Sequence, residues 1–215
     1  MASWGSCDFK QLQELQNRIK KLQSVDMQRF CIDASRELAA RLLALVIPRT
    51  PVGRKPTLMQ LGGPGAKKTL RVKGSSGKSQ TFLSREGAIL SQHWGGYMGG
   101  TLRRGWTAKT EAEAESGSGG SSASAGAQYA QSIPVQKSGD SYQITVINPV
   151  RYASYVEYGH RQTPGRFVPA LGKQLKASWV KGKYMLTISE KQLASVLPGI
   201  LERKLNDFFT EAFNG

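Results

Sequence analysis

Asn148-Pro149-Val150-Arg151-Tyr152-Ala153-Ser154-Tyr155-Val156-Glu157-Tyr158-Gly159-His160-Arg161 is the stretch that decides how this chain is read. It follows a run, 142–147, whose alternation predicts a strand. It packs three tyrosines, a carboxylate, a glycine stop and a basic pair into one short helical turn. Helical spacing puts Tyr152, Tyr155 and Val156 on one side. Gly159 can take the left-handed conformation that ends a helix. Such an element suits docking on a rigid strand better than catalysis. Tyr152 and Tyr155 are candidates for the core, with at least one expected there. Glu157, Tyr158 and Arg161 are expected to be exposed. Tyr and Arg are favoured interface anchors, so this turn is a candidate contact surface.

Outward from that turn, an alternating pair 133–137 and 141–147 flanks Gly139-Asp140, a hairpin signal. Residues 102–109 read as a further strand with Trp106 toward the core. Residues 171–180 read as a helix and 184–188 as a short strand. Ser189 is placed to cap a last helix running to about residue 213, with Leu193, Val196, Leu197, Ile200, Leu201, Leu205, Phe208 and Phe209 as a wide apolar face and Pro198-Gly199 as a kink. At the other end, Asp8 can cap a helix carrying Leu12, Leu15, Ile19 and Leu22. A second helix starts near Asp26, buries Phe30, Ala34, Leu38, Leu42 and Leu45, and ends at Pro48. The expected fold is α+β. It is an antiparallel meander of about four strands, packed on one face by the N- and C-terminal helices.

Two segments interrupt that plan. Residues 53–100 are rich in Gly and in Lys and Arg, and read as an inserted basic arm with a hairpin of 69–73 and 80–83 around Gly74 to Gly77. Residues 111–127 read as a flexible Ser/Gly/Ala loop. Thirty Lys and Arg face fifteen Asp and Glu, a formal charge of +15 that favours polyanionic partners. Lys67, Lys68, Arg71, Lys73, Lys78, Arg103 and Arg104 are the candidate contacts to DNA or to an acidic partner, with Trp94 and Tyr97 nearby.

Other chemistry is poorly supported. Gly74-Ser75-Ser76-Gly77-Lys78-Ser79 echoes a phosphate-binding loop, but Val72 stands where that loop needs its first glycine. His93 and His160 lack a nucleophile or metal spacing around them. Glu111, Glu113 and Glu115 read as a solvated strand end, not as a metal or acid–base site. Cys7 and Cys31 make no disulfide framework and read as reduced thiols of a cytosolic product. Residues 1–10 do not read as a signal peptide, and the longest apolar run, 42–47, is too short to cross a bilayer. No catalytic residue, cofactor, metal or membrane partner is expected.

Three stretches together resemble a known family. They are Leu38-Ala39-Ala40-Arg41-Leu42-Leu43 leading into Arg49-Thr50-Pro51-Val52, then Gly100-Thr101-Leu102-Arg103-Arg104-Gly105-Trp106, then Asn148 through His160, continued by Gly165-Arg166-Phe167-Val168-Pro169. In order and character they resemble the tail-component family of tailed bacteriophages, the small neck or tail-completion proteins. The departure is residues 53–99, which intervene where the family runs directly into its Leu-Arg segment. The resemblance implies a structural virion protein that is not an enzyme, assembled in the host cytoplasm. It implies a ring, commonly a hexamer, at the head–tail junction, completing or terminating the tail tube and joining it to the head connector. Tyr152, Tyr155, Glu157, Tyr158, His160, Arg161 and Phe167 would then lie on subunit or ring contacts. The basic arm would reach packaged DNA in the lumen or an adjoining ring of head-connector or tail-tube protein. A nucleic-acid-binding module acting through that arm is the alternative.

Overall fold

The computed structural model describes Gln13 and residues 27–75 and 77–214, so the expected first helix around Leu12 to Leu22 lies outside the described residues. In chain order the elements are α1 (Met27–Arg49), α2 (Leu58–Gly62), β1 (Thr69–Lys73), β2 (Ser79–Leu83), α3 (Arg85–Trp94), α4 (Thr101–Arg104), a 3-10 turn (Gly105–Thr107), α5 (Glu111–Ser116) and α6 (Ala123–Ser132). There follow β3 (Gln136–Ser138), β4 (Ser141–Gln143), α7 (Ala153–Tyr158), β5 (Gly159–Arg161), β6 (Phe167–Val168), a 3-10 turn (Pro169–Leu171), β7 (Lys173–Gln174), β8 (Trp179–Lys181) and α8 (Met185–Asn214). The chain mixes helix and strand, but among the described residues the strands form four separate antiparallel pairs instead of one meander. It divides into two compact units, one holding α1, α6, β3–β4 and α8, the other holding residues 49–121 and 148–185.

In the first unit, α1 buries Ala34, Ala39, Leu43, Val46 and Ile47. Of the expected stripe only Ala34 is fully buried, and Phe30, Leu38, Leu42 and Leu45 are half-exposed. The run 38–47 is apolar at nearly every position, so the helical period does not single out one face. Helix α6 grows from the Ser/Gly/Ala stretch expected as a loop. Ser122 caps it, its hydroxyl accepting from the Ala125 amide at 3.2 Å, and alanine favours the helix behind it. Gly126 serves packing, since a Cβ there would meet Ile47 Cδ1 at 2.8 Å and Leu43 Cβ at 2.9 Å. The β3–β4 hairpin turns at Gly139, at φ +59, as its sequence predicts, but pairing covers only three residues of each strand.

Helix α8 begins at Met185, not at Ser189, which is fully buried inside it; of the expected strand 184–188, residues 185–188 are its first turn and Tyr184 precedes it at φ +51. Leu193, Leu197, Ile200, Leu201, Lys204 and Phe208 share its half-buried stripe, while Val196, Leu205 and Phe209 are exposed beside it. Phe208 meets Phe30 of α1 with ring centroids 5.0 Å apart. Glu37 of α1 accepts from Arg41 at 2.7 Å and faces Lys204 at 2.9 Å.

The second unit has its core in Leu102, Trp106, Ala108, Ala114 and Val150. Residues 101–107 are helical turns, not the expected strand. Leu102 and Trp106 are four apart and both buried, which is helical spacing. The expected helix 171–180 is also absent. Those residues form the return limb of one long hairpin from Gly159 to Lys181. Its ladders β5–β8 and β6–β7 are joined by Gln162 N–H to Ser178 O at 3.0 Å and Leu175 N–H to Arg166 O at 2.9 Å. Gly172, left-handed at φ +58, breaks the helical pattern at the tip. That tip is held on α3: Trp94 Nε1 donates to Ala170 O at 2.7 Å and Arg85 to Gly172 O at 3.3 Å. Lys173 Nζ also donates to Gln60 O in α2.

Burial alone would raise the Glu37 carboxyl, but hydrogen bonds and charge from Lys204 and Arg41 hold it below its ordinary 4.5. The stability this carboxylate adds is complete above its unfolded pKa and is lost as pH falls through its lower folded value. Lys204→Met is therefore expected to lower stability at neutral pH, and the difference from the parent shrinks as pH falls below that of free glutamate. Urea melts from neutral pH into the acid range check this; an equal deficit at every pH contradicts it.

Candidate functional site

The tyrosine turn is pinned at its entry by one side chain. Asn148 Nδ2 donates to Leu102 O at 2.8 Å, and its Oδ1 accepts from the Val150 amide at 3.2 Å. A Cβ on Gly105 would collide with that Asn148 carboxamide, so glycine there makes room for it. Arg151 is tied to Glu111, side chain to side chain at 3.0 Å and amide to carboxylate at 3.2 Å. Glu113 accepts from the Lys109 amide at 2.8 Å, while Thr110 caps α5. The carboxylates expected on a solvated strand end thus start a helix, where negative charge is favoured. Among the described residues no three His, Cys, Asp or Glu side chains are grouped to hold a metal.

The exit is pinned as firmly. Lys183 N–H donates to Val156 O at 2.8 Å and Tyr184 N–H to Glu157 O at 3.0 Å. Gly182 lies so close that a Cβ on it would strike Glu157 O. Gly159 takes φ +87, ψ +173, a region that glycine alone populates readily, and a Cβ there would strike Val180 O. Glu157 is consequently buried, at 5% exposure, and the expectation of an exposed carboxylate is overturned by the chain folding over it. Neither Tyr152 nor Tyr155 is a core residue; Tyr155 and Tyr158 are 59% and 60% exposed. Burial, then the neighbouring Tyr97 phenol, raises the Tyr152 hydroxyl above its ordinary 10.0, so it keeps its proton.

Beside the turn, His160 packs its ring 5.7 Å from that of Tyr155, with Nδ1 buried and, among the described residues, without a hydrogen bond. Arg161 is exposed and pairs across the ladder with Trp179, itself half-exposed. Phe167 is half-exposed further along and, with His160, Arg161, Arg166 and Leu175, lines a groove of about 460 Å³. The exposed aromatic surface of the second unit thus includes Tyr155, Tyr158, Phe167 and Trp179. Sequence reading missed Trp179 because it assigned that limb to a helix. The β-branched Val180 beside it is the signal that was there.

The basic residues fall into two classes. Arg103 Nε and one terminal nitrogen donate to Thr50 O at 3.1 and 2.7 Å. Arg104 donates to Ala114 O and to Gly99 O, both at 2.8 Å. These two clamp backbone carbonyls and are not the free phosphate contacts expected of them. Lys67, Lys68, Arg71, Lys73 and Lys78 are exposed on the β1–β2 ribbon and its stem. Gly74 to Ser79 closes that ribbon, Gly74 N–H reaching Lys78 O at 2.8 Å, and so links strand to strand, where a phosphate loop links strand to helix. Ser84 caps α3 and its hydroxyl donates to Lys67 O at 2.5 Å, fixing the ribbon's stem. Trp94 and Tyr97 pack edge to face on each other, 5.0 Å apart, and His93 is exposed on α3.

The turn's rigidity rests on Gly159. Gly159→Ala is expected to cost about 2 kcal/mol or more, a fall of roughly 4–8 °C in Tm for a chain of this size. Gly199→Ala, in α8 with open space around it, is the control and should leave Tm unchanged or raised. Calorimetry of both variants checks the contrast.

Residues 97–159 match a family model, HK97-gp10_like, described as "Bacteriophage HK97-gp10, putative tail-component". No curated protein and no solved structure matches the chain. The matched span holds both arginine clamps, Trp106, the Asn148 pin and the whole of α7. No helix among the described residues is long and apolar enough to cross a membrane. Over residues 97–159 the chain is thus similar to the bacteriophage tail-component family.

Proposed function

We propose that this protein is a structural component of the phage neck: a ring subunit, six to a ring, at the head–tail junction, completing the tail tube and joining it to the head connector. Its work is geometric, with no bond made or broken. The observation that carries this reading is the aromatic turn. Tyr155 and Tyr158 stand mostly exposed on a backbone fixed at both ends, by Asn148 on one side and by residues 182–184 on the other. Large aromatics displayed on a rigid base lose little entropy on docking, as interface anchors require. A ring closes by a head-to-tail contact, so this patch would meet a different patch on the next copy. Arg161 and Phe167, with the buried-edge His160, extend the same surface.

Because both tyrosines are exposed, Tyr155→Ala plus Tyr158→Ala is expected to leave the fold intact by circular dichroism. Particles assembled with this variant should separate into free heads and free tails in electron micrographs. Normal joining with the double variant would overturn the assigned interface.

A second reading is favoured by one observation. Lys67, Lys68, Arg71, Lys73 and Lys78 are exposed, and among the described residues none of them forms a salt bridge. They suit contact with packaged DNA in the ring's lumen. Phosphate contact releases counterions, so retention of duplex DNA on a filter should fall steeply from low to moderate salt, and Arg71→Ala plus Lys73→Ala should flatten that slope. No retention at low salt removes this reading and leaves the first.

A further inference from the structure

Two strand-like features of this chain have open hydrogen-bonding groups. The first is residues 144–147. Ile144, Thr145, Val146 and Ile147 are all β-branched, the residue type that favours strands. Exposure alternates residue by residue from Ser141 to Ile147, the period of an extended strand. Yet pairing with β3 stops at Gln143, opposite Gln136. The reason lies in the partner: the same register would set Pro134 opposite Thr145, and proline has no N–H to give. Past Gln143, the backbone of 144–147 makes no hydrogen bond among the described residues. Exposed or half-exposed as they are, these groups are free to pair with a strand that covers them, and once buried they are nearly always paired.

The second feature is the β1–β2 ribbon. Among the described residues it pairs only with itself, leaving both outer edges open there. All ten of its strand residues are exposed. The register puts Leu70 opposite Phe82, with Val72 on the same face, and each is about half exposed. A lone two-stranded ribbon is marginal in water and gains from a further strand.

We infer that the ribbon of one copy adds its edge to residues 144–147 of a second copy. An open strand edge and an open ribbon edge satisfy each other by main-chain hydrogen bonds, the usual mode of strand addition. Charge decides in favour of this site. The ribbon sits in a stretch, 38–85, with no Asp or Glu, so it is repelled by most of a chain carrying +15. Residues 138–150 hold no Lys or Arg and one carboxylate, Asp140. The contact is made along the ribbon's edge and leaves Arg71 and Lys73, which point to the face opposite Leu70 and Val72, open to a polyanion. It is a head-to-tail contact, a different patch on each copy, and it rests on the self-association proposed above.

The test uses the full chain with Cys7→Ser and Cys31→Ala. Copies carrying Thr81→Cys are mixed with copies carrying Ile147→Cys and treated with a bis-maleimide spanning about two strand spacings, ~10 Å. The mixture is expected to give a cross-linked dimer that neither variant gives alone. Adding Thr145→Pro to the Ile147→Cys copies should lower its yield about tenfold by removing an edge donor. Light scattering on the same samples separates the possible failures. Oligomers without the mixed dimer overturn this strand exchange and leave the ring reading standing. Monomers at every concentration overturn both. A chain carrying both cysteines that cross-links only within itself shows the ribbon folding back, and also overturns the exchange.

Discussion

Thr50 is the point on which the second unit depends. It is fully buried, and it takes three donors: two guanidinium N–H groups of Arg103 on its carbonyl and the indole N–H of Trp106 on its hydroxyl, the last at 2.7 Å. A buried carbonyl met by a guanidinium is a charge-assisted pair, about twice as strong as a neutral one. Losing Thr50's side chain would strand the Trp106 N–H in the core, and an unpaired buried donor costs about 1–3 kcal/mol. Residues 101–107 take their place from this contact. Gly105 then receives Asn148, and Asn148 sets where α7 begins. The tyrosine display is the last step in that series.

This explains why Arg49-Thr50-Pro51 and Leu102-Arg103-Arg104-Gly105-Trp106 stood out together as sequence. They are the two sides of one contact, separated by residues 53–99 that do not interrupt it. So long an intervening stretch is compatible with the contact because loop length enters the closure entropy only logarithmically.

What was legible in the sequence was the local chemistry. The hairpins at Gly74 to Gly77 and at Gly139 follow from turn residues whose φ demands are local. The short helix before Gly159 follows likewise from a stop that needs positive φ. What was not legible depended on distant partners. Residues 102–109 alternate well enough for a strand, but Thr50 and Asn148 hold them as helical turns. Residues 171–180 have helical spacing, yet their partners are 159–168 across the hairpin. Glu157 looked exposed between two tyrosines until residues 182–184 folded over it. Arg103 and Arg104 are indistinguishable from Lys67 and Lys68 by charge; only the carbonyls they reach tell a clamp from a free cation. The Ser/Gly/Ala stretch misled for another reason. Its Gly126 is a packing residue, and composition does not separate that use from flexibility.

The same clamps bear on function. Within the second unit the hairpin 159–181 starts at the tyrosine turn and ends with its tip held on α3 by Trp94 and Arg85. Helix α3 begins at Ser84, whose hydroxyl grips the ribbon's stem at Lys67. The aromatic turn, the hairpin and the ribbon are therefore successive parts of one hydrogen-bonded body. The ring proposed above would draw on this, because a contact surface whose parts moved independently would as readily lead to an open filament as to a closed ring. On that proposal, residues 53–100, with the two packed elements α2 and α3 among them, would serve to tie the ribbon to the aromatic surface.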